Sequence, residues 1–117
     1  MRGNISKGRL GEQKAVNYLI AKGYRIIDTN YRTKMGEIDI IATIHDILIF
    51  IEVKSRTNID YGYPYEAVDW RKQNKIIKVS YAYIKQKGFY DYQIRYDIIE
   101  VYFGKKPVIR HIENAFC

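Results

Sequence analysis

Gly36-Glu37-Ile38-Asp39-Ile40-Ile41-Ala42 and Ile47-Leu48-Ile49-Phe50-Ile51-Glu52-Val53-Lys54 lie either side of a short polar break, Thr43-Ile44-His45-Asp46. Both runs are rich in β-branched residues and have the length of ordinary strands, which predicts a β-hairpin. In the second run Ile47, Ile49, Ile51 and Val53 point to one face, and Leu48, Phe50, Glu52 and Lys54 point to the other. A strand apolar on both sides is a central, buried one, yet this one ends in an acid and a base. A two- or four-residue loop that pairs Ala42 with Ile47 sets Asp39 opposite Phe50 and diagonal to Glu52, roughly 7–8 Å away on the same face. Carboxylates so placed can converge on one cation. An odd-length loop or a bulge would slip the pairing and send Asp39 to the other face. Glu-x-Lys alone is a common surface pair. The upstream acid and the two-sided apolar strand argue instead for a charged site, because buried carboxylates are tolerated when paired or when they hold a metal.

Outward from the hairpin, the chain is basic but unevenly so. Residues 1–35 carry eight basic and two acidic groups, 36–69 two and seven, 70–92 six and one, and 93–117 four and three. An acidic island between basic flanks suits a metal-dependent protein acting on a polyanion. The whole chain, 117 residues with 47% apolar content, makes one domain over 1–117 with room for one core. A single cysteine, Cys117, excludes a disulfide framework. No apolar run reaches the roughly 18 residues of a membrane span, and no signal-type segment opens the chain, so a cytoplasmic protein with no membrane partner is expected.

Before the hairpin, Ala15, Val16 and Leu19 recur at helical spacing and predict a helix from Lys7 to Lys22, stopped by Gly23. Glu12 precedes those residues by three, four and seven, on the face that must pack against the sheet. Tyr24 to Asn30 reads as a strand and Tyr31 to Met35 as a basic connection whose Arg32 and Lys34 can meet a phosphate backbone. After the hairpin, Ser55 to Tyr65 reads as a loop in which Tyr61, Tyr63 and Tyr65 are candidate base-stacking residues, although packing explains most tyrosines. Asp69 is an N-cap for a helix from Trp70 to Lys87, closed by Gly88, with Ile76, Ile77, Ser80 and Ile84 as its buried stripe. Gln73 falls on that stripe one turn earlier. A core-edge glutamine and an amide serving the acidic site account for it equally well. Gln93 to Phe103 and Val108 to Ile112 read as strands, with Arg95 and Asp97 pairing on one face. His45 and His111 have no ligand spacing.

These residues resemble a known family. Asp39, with Glu52-Val53-Lys54 following, resembles the D…(D/E)-x-K core of the PD-(D/E)xK nuclease superfamily, with Ile38 where that superfamily often has proline. Gly11-Glu12, Gly36-Glu37-Ile38-Asp39, Glu66-Ala67-Val68, Lys72-Gln73, Arg95-Tyr96-Asp97 and Asn114-Ala115-Phe116 together resemble the bacterial YraN family, predicted endonucleases related to archaeal Holliday junction resolvases. The resemblance spans nearly the whole chain. It implies a restriction-endonuclease-like α/β domain, a central mixed sheet flanked by helices in the order αβββαββ. It further implies a Mg²⁺- or Mn²⁺-dependent DNA endonuclease, directed at branched or junction DNA and working as a homodimer. Asp39, Glu52 and Glu12 would then hold the cation, Lys54 would serve the attacking water, and Gln73 would join the catalytic group. Arg32, Lys34, Arg56, Arg71 and Lys72 are the expected DNA-backbone contacts. The alternative is a non-catalytic nucleic-acid-binding accessory protein of recombination or repair.

Overall fold

A computed structural model describes residues 6–56 and 68–117. The element order is α1 (Lys7–Ala21), β1 (Arg25–Thr33), β2 (Gly36–Ile44), β3 (Ile47–Arg56), α2 (Trp70–Lys87), β4 (Gln93–Tyr102) and β5 (Val108–Ile112). The strands form one sheet in sequence order, antiparallel throughout except where β3 and β4 run parallel across the α2 crossover. The expected mixed sheet in an αβββαββ order is therefore present.

Alternation along the central strands divides the core into two layers. Leu48 and Phe50 of β3, with Ile98 of β4, pack under Ile76, Val79 and Tyr83 of α2. Ile49, Ile51, Ile99 and Val101 pack under Ala15 and Leu19 of α1. The helices thus cover opposite faces, and β3 is buried on both, as its two-sided apolar pattern requires.

Both helix ends obey their local chemistry. Ser6 and Asp69 cap the two starts by accepting from the Arg9 and Lys72 amides. Gly88 closes α2 in the left-handed conformation at φ 78°. Gly11 serves a different purpose: a Cβ there would lie 1.9 Å from Ser55 Oγ and 3.2 Å from Ser55 Cβ, so glycine lets the start of α1 approach the end of β3.

The structure corrects three expectations. The hairpin turn is only His45-Asp46, so Ala42 pairs with Ile49 rather than Ile47, a two-residue slip that preserves the faces. Tyr31 and Arg32 are not connection but strand, because β1 continues to Thr33 and pairs with β2 to its first residue. Ser55 and Arg56 likewise belong to β3 rather than to a loop. The rest of that loop, with Tyr61, Tyr63 and Tyr65, and also Glu66-Ala67, lies outside the described residues.

The Arg95–Asp97 pair forms as expected and anchors the end of the chain. Asp97 is fully buried and accepts from Arg95 Nε and Nη2 at 3.0 and 2.9 Å, from His111 Nε2 at 2.7 Å and from the Asn114 amide at 2.9 Å. Burial alone would raise its pKa, but the His111 and Arg95 bonds outweigh it and hold the carboxyl below its ordinary value.

A carboxylate pair at the β2–β3 fork

The β2–β3 ladder runs from Ile44↔Ile47 to Ile40↔Ile51 and there ends. One step further, Asp39 takes over as acceptor: its Oδ2 receives the Val53 amide at 2.8 Å. Ile38 joins the α2-side core and Ile40 the α1-side core, so strict alternation of β2 breaks around Asp39, where the strands part. The two-residue turn brings Asp39 opposite Glu52 rather than diagonal to it, and the carboxyl groups lie in hydrogen-bonding contact. Glu52 is only 4% exposed.

This placement is electrostatically costly. Burial first, then the Glu52 charge, and to a smaller degree Glu12, push the Asp39 pKa from 3.8 up to about 8, against the lowering effect of the Val53 amide. Glu12 therefore stands near the pair. Its neighbours Ala15 and Leu19 are fully buried, which confirms the face assigned to it, although among the described residues no three His, Cys, Asp or Glu groups stand close enough to form a metal cluster.

Lys72 supplies the compensating charge. Its Nζ lies 2.5 Å from Glu52 Oε2, and although burial acts to lower its pKa, the bond to Glu52 and that carboxylate's charge raise it overall. Lys72 was expected at a DNA backbone and instead sits in the acidic site. Gln73 moves the other way: its Nε2 donates to Val68 O at 2.8 Å, so its amide is engaged by the segment before α2. Both changes have one cause. The buried stripe of α2 is Ile76, Val79, Ser80 and Tyr83, with Ile77 and Ile84 at its margin. At 100° per residue this turns the helix by roughly 60° from the expected stripe. Lys72, four and seven residues before Ile76 and Val79, then faces the sheet. That spacing marks Lys72 only once the Val79–Tyr83 stripe is chosen over the Ile77–Ile84 one.

Lys54 follows Glu52 by two residues on the same strand face and pairs in register with Glu100. Arg56, two residues on again, is tied to the fully buried Glu100 at 3.1 Å, and Tyr102 donates to the same carboxylate at 2.7 Å. Arg32 makes a surface pair with Glu37 at 3.3 Å, Lys34 is exposed in the β1–β2 turn, and Arg71 is exposed on α2.

A cleft of about 420 Å³ opens on the pair. It is lined by Asp39, Glu52, Glu37 and Asp69 together with Arg71, Lys72 and Lys75. Two carboxylates with oxygen donors only, at the base of a cleft edged with cations, fit a hard divalent ion that keeps most of its own waters.

Fold and fork together define a small α/β domain with a carboxylate–lysine centre where its central hairpin splays apart. The chain belongs to the uncharacterised protein family UPF0102, whose profile matches residues 11–101. It is 53% identical over 113 residues to a UPF0102 protein of Clostridioides difficile, covering 97% of this chain and 98% of that one. It is 51% identical over 111 residues to one from Alkaliphilus metalliredigens, with 95% and 97% covered. A third, from Caldanaerobacter subterraneus, is 46% identical over 113 residues, with 93% of each covered.

Proposed function

We propose that this protein is a divalent-metal-dependent phosphodiesterase that cleaves DNA, a nuclease of the PD-(D/E)xK kind. One observation carries the reading: Asp39 and Glu52 converge at the β2–β3 fork, on the floor of a cleft whose walls carry Arg71, Lys72 and Lys75. Asp39 and Glu52 would hold Mg²⁺ or Mn²⁺, with Glu12 closing the acidic group from α1. A bound ion supplies Lewis-acid polarisation of the phosphate and a more acidic attacking water.

The chain's own residues do the remaining work. Asp39 is held by the Val53 amide on one oxygen and by its contact with Glu52, which fixes the carboxyl where it lines the cleft. Lys54 orients the attacking water and offsets the charge that accumulates as the new P–O bond forms and the bond to the leaving oxygen breaks. Lys72 neutralises Glu52 in the metal-free protein, and Arg71 and Lys75 meet the incoming phosphates. A non-catalytic DNA-binding role is the second reading, favoured by that same Lys72–Glu52 pair, which already satisfies the acid without an ion.

The test is a cleavage assay with Mg²⁺ or Mn²⁺ across single-stranded, duplex, flap and four-way DNA. The wild-type protein is expected to cut at least one substrate, and Asp39→Asn, Glu52→Gln and Lys54→Ala each to lower the rate by about 10²-fold or more, the scale of losing one preorganised electrostatic group. Full activity in any of the three overturns the assignment, and binding without cleavage on every substrate selects the accessory role.

A further inference from the structure

Trp70, the only tryptophan in the chain, is 66% exposed at the first position of α2. A single exposed ring is ordinary, whereas exposed rings aligned on one helix face form a patch that calls for an account. Tyr81 is exposed to 61% and lies eleven residues on, which returns it to nearly the same side of the helix. Asn74, Lys78 and Lys85 fall between and beyond the two rings on the same side, and all three are exposed. The outer face of α2 is thus a stripe of Trp70, Asn74, Lys78, Tyr81 and Lys85, with the two rings about 16 Å apart along the axis. The Arg71 guanidinium lies 6.0 Å from the Trp70 ring. The helix carries six lysines and arginines and no acid, and its first turn edges the carboxylate cleft through Arg71 and Lys72.

We infer that this stripe is a track for the unpaired bases of a nucleic-acid strand, with Trp70 and Tyr81 as stacking platforms and Lys78 and Lys85 following the phosphates. Aromatic rings alternating with cations are the chemistry that holds single strands without sequence preference, since every base offers a π-face. A second copy of the chain fits poorly: a two-fold interface would bring Lys78 and Lys85 against like charges, and lysine is depleted from interface cores. The inference rests on the proposed nuclease reading only for where the strand leads, namely into the cleft at the start of α2. It assigns that site a substrate with unpaired bases beside the scissile bond.

Trp70 emission reports stacking directly. Titration with an oligothymidylate of about ten nucleotides, within the usual range of single-strand site sizes, in metal-free buffer is expected to quench it saturably. Trp70→Ala, followed by anisotropy of a labelled oligonucleotide, is expected to lower single-strand affinity about tenfold, and Tyr81→Ala severalfold, with duplex affinity changed less than twofold. Circular dichroism and Mn²⁺ binding check that each variant keeps its fold and cleft. Absence of quenching, equal losses for duplex and single strand, or a concentration-dependent dimer that Trp70→Ala dissolves would each overturn the inference. Because no ion or cleavage enters the binding measurement, its failure leaves the nuclease reading standing, and a catalytically silent protein can still pass it.

Discussion

Asp39 concentrates the strain of this structure into one titratable group. In the unfolded chain it loses its proton near 3.8, in the metal-free fold near 8. Between those values the fold retains a proton that the unfolded chain has released. Stability is therefore greatest below the lower value, declines as pH rises through the window, and levels off above the upper one. Asp39→Asn keeps an acceptor for the Val53 amide and removes the charge. Thermal melts of the metal-free protein are expected to show the variant melting several degrees above wild type at pH 8, with the gap closing toward pH 5. Parallel melting curves across that range would mean that the two carboxyls do not oppose one another. Asp39 and Glu52 were legible in sequence because charges interrupt an otherwise apolar strand pair; Lys54, singled out with them, is not among the residues that line the cleft. The proton was not legible, since it depends on a contact set by a two-residue turn. The sequence left the loop at two or four residues because His45, at φ 53°, stands where the Asn-Gly signature usually marks a two-residue turn.

At the scale of elements, the site depends on how closely α1 approaches β3. Gly11 is the point of contact, and Gly8, one turn earlier, has no atom within 4 Å of its would-be Cβ. Gly11→Ala is expected to destabilise by roughly 1–3 kcal/mol, as overpacking does, and to displace Glu12 from the Asp39–Glu52 pair. Gly8→Ala is expected to be neutral or to stabilise by up to about 1 kcal/mol through helix propensity. Chemical denaturation of both variants measures the difference, and equal effects would contradict the close contact. The elements themselves were readable from periodicity and caps: Asp69 and Gly88 mark α2 to the residue. Rotation of α2 was not readable, because Ile77 and Ile84 look as apolar as Val79 and Tyr83, and only tertiary packing chooses between the two stripes. The exchange of roles between Lys72 and Gln73 follows from that choice.

Across the whole molecule, the two faces of the sheet carry separate duties. On the α1 face the buried Asp97 ties Arg95, His111 and the Asn114 amide together, fixing β4, β5 and the end of the chain. On the α2 face the strands part, acids meet, and cations line the cleft. The charge distribution was legible from sequence as an acidic island between basic flanks; folding turns it into carboxylates on a floor and lysines on its rim. If that arrangement exists to hold a divalent ion, calorimetric titration of Mn²⁺ into the purified protein tests it without any assumption about substrate. Saturable binding is expected for wild type, tighter at pH 8 than at pH 6 because the ion must displace the proton that Asp39 retains, and no measurable binding for Asp39→Asn. Equal binding by wild type and Asp39→Asn, or none by either at pH 8, would contradict the account.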